Sequence, residues 1–122
     1  MTITSLLLTD IRNDAASRIV TNFTHCAIGT DNTAAVASDT TLGTEVFRDT
    51  IDTSSNPGTG IVTSSLRVLS TEANGNSIAE YGWLDSGSGG NLWTRNVITA
   101  ITKTSDIQLF LDTQITTTVE EN

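Results

Sequence analysis

The chain has 122 residues, room for one compact domain and not two. Its 14 acidic and 6 basic residues leave a net charge of -8, which excludes a surface that holds nucleic acid by neutralising phosphates. No apolar run reaches the roughly 20 residues of a spanning helix, so no membrane insertion is expected, and the opening MTITSLLLTD lacks the basic start of a secretory leader.

Twenty-three Thr, 12 Ser and 9 Asn stand against 3 Phe, 2 Trp and 1 Tyr, a mixture that suits pleated sheet and turns. The first segment places Ile3, Leu7, Ile11, Ala15 and Ile19 at steps of four with Asp10 and Asp14 opposite, which predicts one amphipathic helix over 4–19. FTHCAIG, 23–29, reads as a short strand, and TDNTAAVASDTT after it as a loop. EVFRDTID, 45–52, reads as a second strand, stopped by SSNPGTG. Val62, Ser64, Leu66 and Val68 share one face of a third, and Asn74-Gly75 predicts a hairpin that pairs it with Ile78 to Leu84. DSGSGG, 85–90, is a turn into Leu92 to Ile101, whose apolar residues on both faces predict a central strand. In the last strand Ile107, Leu109, Leu111, Thr113, Ile115, Thr117 and Val119 face one way, toward the core.

Five or six strands with connections too short for parallel crossovers predict a mainly β fold. It is an antiparallel β-sandwich or flattened barrel, 21–122, led by one helix within 1–20. Low aromatic content and small size imply modest monomer stability and a homo-oligomer. Five Arg against the single Lys103, with abundant Asp, fit an acidic surface hydrated in high salt, a halophilic signature.

Chemistry is scarce. One imidazole, His25, is available, and Cys26 beside it points to the opposite face of a strand, so the two make no nucleophile and base. A partly buried His25 and a small apolar Cys26 are the readings favoured. The lone cysteine excludes an intrachain disulfide and a thiolate zinc cluster. Asp31, Asn32 and Asp39, or Asp85 with carbonyls of DSGSGG, offer at most a weak cation site, and solvated turn acids are the commoner use. No phosphate-cradling glycine pattern opens a helix. No enzyme, cofactor or metal is expected. Tyr81, Trp83 and Trp93 flank the 85–90 turn and suit a subunit contact or a sugar-stacking platform. Arg48 with Glu45, and Arg95 with Glu80, are candidate charge pairs across strands or subunits.

Two blocks carry a resemblance. In 25–52 the residues are Gly29, Ser38, Asp39, Leu42, Glu45, Val46 and Arg48, and in 70–119 they are Glu80, Gly82, Asp85, Gly89, Gly90, Arg95 and Lys103 to Ser105. In order and spacing they resemble a family of small structural proteins from tailed viruses of bacteria and archaea. Trp83-Leu84 stands where that family more often has Leu-Phe, and Asp31 where it has Gly. The resemblance implies a virion component made in the host cytoplasm, associated with tail, tail fibre, collar or baseplate and contacting other virion proteins. A capsid decoration or vertex turret protein is the second reading, and a glycan-binding receptor module for a host-surface glycan the third.

Overall fold

The computed structural model describes residues 9–56 and 60–117. One helix, α1 (Thr9–Asn22), precedes seven strands: β1 (His25–Gly29), β2 (Glu45–Thr50), β3 (Thr53–Ser55), β4 (Ile61–Val68), β5 (Ser77–Leu84), β6 (Asn96–Thr102) and β7 (Leu109–Thr116). They form two antiparallel sheets, one ordered β2-β1-β5-β6 and the other β3-β4-β7, with the core between them. The fold is a β-sandwich with an N-terminal helix.

Alternation builds the core as expected in β4 and β7. Val62, Leu66 and Val68 are buried against Leu109 and Leu111, and buried Ser64 exchanges a hydrogen bond with Ser54 (Oγ to Oγ, 3.1 Å). From the facing sheet come Cys26, Ile28, Ile78 and Trp83. Trp83 stacks on Phe23 at 6.0 Å between centroids and meets Tyr81 edge-on at 6.4 Å. Its indole Nε1 donates to Thr113 Oγ1 at 2.9 Å, so the one polar atom of this large buried group is satisfied from β7.

The outer face of the four-stranded sheet is covered too. The loops 30–44 and 85–95 fold over it and bury a second apolar cluster of Ala27, Leu42 and Leu84, with Leu92 packed against it. β1 and β5 are therefore buried on both faces, and their sequences, HCAIG and SIAEYGWL, show no clean alternation of apolar and polar residues.

Four expectations change. The helix runs from Thr9 to Asn22, and residues 1–8 lie outside the described residues. Its buried side is Ala16 with half-buried Ile19 and Val20, while Ile11 is 53% exposed and Ala15 is exposed. A ladder of strict fours overshoots a full turn by about 40° per step, so it winds around the helix and cannot all face one sheet. The segment 45–55 divides into two strands in different sheets. Ile51 N donates to Thr24 O (3.1 Å) in one sheet and the next amide, Asp52 N, donates to Ser65 O (2.9 Å) in the other.

The Asn74-Gly75 turn does not pair β4 with β5. β4 lies between β3 and β7, and residues 69–76 carry the chain from one sheet to the other. Nor is the strand after DSGSGG central. β6 is the edge beside β5 with a register slip between Ile78 and Glu80, and its apolar residues on both faces reflect exposure. Leu92 makes only an isolated bridge to Leu84.

Candidate functional site

The polar residues of the sequence converge on three places, and in each they tie a loop to the sheets. The first is Glu80, on the outer face of β5 and without exposed surface. Its Oε1 accepts from Thr44 N (2.8 Å) and Asp31 N (3.4 Å), and its Oε2 from Gly43 N (2.9 Å) and Arg95 Nε (2.8 Å). Arg95, with a side chain 6% exposed, also donates from Nη1 to Asp39 Oδ2 (3.2 Å) and lies 3.9 Å from Asp31 Oδ2. Asp39 Oδ2 in turn accepts from Val36 N at 3.0 Å. One buried carboxylate thus holds both ends of the 30–44 loop, and one guanidinium holds its middle.

Gly29, opposite Glu80 in the β1–β5 ladder, leaves the space this needs. A methyl group there would overlap the Glu80 carboxylate and the Thr44 carbonyl. Burial opposes ionisation of Glu80, but the amides of Thr44, Gly43 and Asp31 and the Arg95 guanidinium outweigh it and hold the carboxyl below its ordinary value. Asp31 is likewise lowered, by the Thr33 amide and hydroxyl and by Arg95. Hydrogen bonding to Glu80 raises the Arg95 guanidinium against its own desolvation. A carboxylate whose oxygens are both engaged and whose proton affinity is depressed is held ionised as a fixed anchor for the loop.

The second place is the 85–91 turn. Asp85 accepts from the Asn91 amide (2.8 Å) and its side chain (2.9 Å), which lowers the Asp85 carboxyl. Gly90 closes the turn at φ 75°, where a methyl group would strike Asp85 and Ser86. Arg48 reaches over from β2, donating from Nη1 to the carbonyls of Ser86 and Gly89, both at 2.9 Å. Its Nη2 and Nε grip Glu45 at 2.6 and 3.2 Å. The third place joins the connections 69–76 and 103–108. Lys103, fully buried, donates to Asn74 Oδ1 (2.8 Å) and Thr104 O (2.9 Å), and its backbone exchanges bonds with Gly75 and Asn76.

Both expected charge pairs, Arg48 with Glu45 and Arg95 with Glu80, form within one chain. Glu80 and Trp83 are buried, which removes them from any subunit contact. Tyr81 is half-buried with its hydroxyl on Thr113 (3.3 Å), so Tyr81, Trp83 and Trp93 make no aromatic platform. Trp93 alone of the three is open, at 49%, beside a cleft of about 400 Å³ that Val36, Asp39 and Arg95 help to line. Trp83 sits inward because β5 turns that side to the core, a facing that a strand buried on both sides does not reveal by its pattern.

His25 Nδ1 shares a hydrogen bond with Thr24 Oγ1 at 2.8 Å. Cys26 points into the core, where burial pushes its thiol far above its ordinary value. Among the described residues no three His, Cys, Asp or Glu are grouped to hold a metal. Sequence reasoning missed the anchoring partners of Glu80, which are backbone amides and carry no side-chain signal, and the embrace of Lys103 by Asn74. No protein-family model matches the chain, and no curated protein matches it.

Proposed function

We propose that this chain is a non-enzymatic structural component of a tailed virus particle, associated with the tail, tail fibre or baseplate, and that it works by assembling with copies of itself. The β6 edge carries the assembly reading. Exposed strand edges are normally guarded by charge, shortness or cover. β2 carries Glu45, Arg48 and Asp49, β3 has three residues, and β7 carries Asp112. β6, NVITAIT, has no charge in a chain of net charge -8, and its Val97 and Ile101 are 37% and 42% exposed. The cations that flank it, Arg95 and Lys103, are both withdrawn into buried contacts. An unguarded, apolar edge on a strongly acidic protein is favourable where a partner covers it.

The virion reading rests on the resemblance. Several of its residues, Gly29, Asp39, Glu80, Gly90, Arg95 and Lys103, help tie the three loops down, so this part of the shared pattern describes a scaffold. The test is protein mass spectrometry on gradient-purified particles released by cells that carry this gene. The chain is expected to sediment with the particles in fixed proportion to their other proteins. Its confinement to the soluble fraction while particles form normally would overturn the placement.

A further inference from the structure

We propose that the outer face of the β3-β4-β7 sheet is a binding groove for a neutral oligosaccharide. The face holds two adjoining depressions of about 330 and 490 Å³ that share Ser65 and Asp112. Three directly opposed pairs run along it: Thr63 with Gln114, Ser65 with Asp112, and Arg67 with Phe110. Side chains two apart on a strand share a face at spacings of about 7 Å, so the three rows extend on the order of 13 Å, the span of a short sugar chain and longer than one ring.

The chemistry of the lining selects the ligand class. Phe110 is 66% exposed, the most exposed large apolar residue among the described ones, and its neighbours on this face, Ser65, Arg67 and Asp112, are polar. Around it Arg67, Asp112 and Gln114 make no side-chain hydrogen bond or ion pair among the described residues. Similar side chains are engaged elsewhere, Arg48 by Glu45, Arg95 by Glu80 and Asp39, and Asp85 by Asn91, while Asp106 and Gln108 are left open as these three are; what sets this face apart is that the open groups surround Phe110. Three planar polar groups with open donors and acceptors, beside a bare aromatic ring, match the alternating C–H faces and hydroxyl rims of a pyranose chain.

Hydroxyls continue the surface. Thr53 and Ser65 share a hydrogen bond at 2.6 Å and Ser55 and Thr63 one at 3.0 Å, leaving each pair a lone-pair site for a ligand hydroxyl. A protein partner would have to satisfy every one of these polar groups on desolvation, which a largely apolar interface core does not do. An anionic polymer is disfavoured by Asp112 in the centre and by the net charge of -8. The groove lies on the sheet that does not contain β6, so it neither needs nor blocks the assembly edge.

The test is saturation-transfer NMR of the full chain with cellohexaose, maltohexaose and chitohexaose at millimolar concentration, using wild type, Phe110→Ala, Asp112→Asn and Trp93→Ala. Folding of each is checked by near-ultraviolet circular dichroism, which reports the buried Trp83. Transfer to at least one hexasaccharide is expected, weakened roughly tenfold by Phe110→Ala, reduced by Asp112→Asn and retained in Trp93→Ala. Absence of transfer to all three sugars, or transfer undiminished in a folded Phe110→Ala variant, overturns the proposal.

Discussion

Glu80 is a single side chain whose removal would undo a loop of fifteen residues. In Glu80→Ala the amides of Gly43 and Thr44 lose their acceptor and the Arg95 guanidinium loses its buried counterion. Removing one partner of a buried, hydrogen-bonded ion pair typically costs about 3–5 kcal/mol, and urea denaturation of the variant is expected to show a loss of that order. The same carboxylate sets a pH limit. Its folded-state pKa is lowered, so its stabilisation is complete above the ordinary Glu value of about 4.3 and is lost as pH falls through the depressed one. The melting temperature of the wild type should therefore drop on acidification below about pH 4, and Glu80→Gln should flatten that drop. An equally steep acid limb in the variant would assign the effect to other carboxylates.

At the scale of elements, strands with one face in the core were legible and those without a clean pattern were not. β4 and β7 alternate because one side packs on the core and the other meets water, so Val62, Leu66, Leu109 and Leu111 could be assigned from spacing alone. β6 carries apolar residues on both faces for want of a neighbour, and β5 for an excess of cover, and the two look alike in sequence. The Asn74-Gly75 pair failed as a hairpin signal because its side chain and backbone are held by Lys103, from a connection almost thirty residues away. Of the candidate site, the two ion pairs were legible as nearby opposite charges, although Glu45 and Arg48 pair within β2 instead of across strands and Arg95 reaches Glu80 from just before β6; the amide cradle around Glu80 was not.

The 85–91 turn offers a test at this scale. Arg48 joins it to β2 through a planar fork that Lys does not reproduce. Arg48→Lys is expected to lower stability by about 1–2 kcal/mol, and to speed amide hydrogen exchange across 86–91 while β1 and β5 stay protected. Unchanged exchange in the turn would show that Asp85 and the glycines hold it without help.

For the whole molecule, the charged and polar side chains that do most of the organising face inward or across the chain, while unmet demand is left at two surfaces. One is the bare β6 edge; the other is the hydroxyl-lined face with Phe110. A small acidic sandwich with low aromatic content gains stability when a neighbour covers such an edge, because paired strands bury backbone groups and Val97 and Ile101 together. In the proposed function, self-assembly is what covers this edge.

The most direct measurement is the mass in solution by multi-angle light scattering, taken for the wild type and for the double variant Val97→Lys, Ile101→Lys. Assembly through the β6 edge predicts a defined multiple of 12.9 kDa for the wild type and a folded monomer for the lysine variant. A wild-type protein that stays monomeric at high concentration, or a variant that assembles as the wild type does, would contradict it.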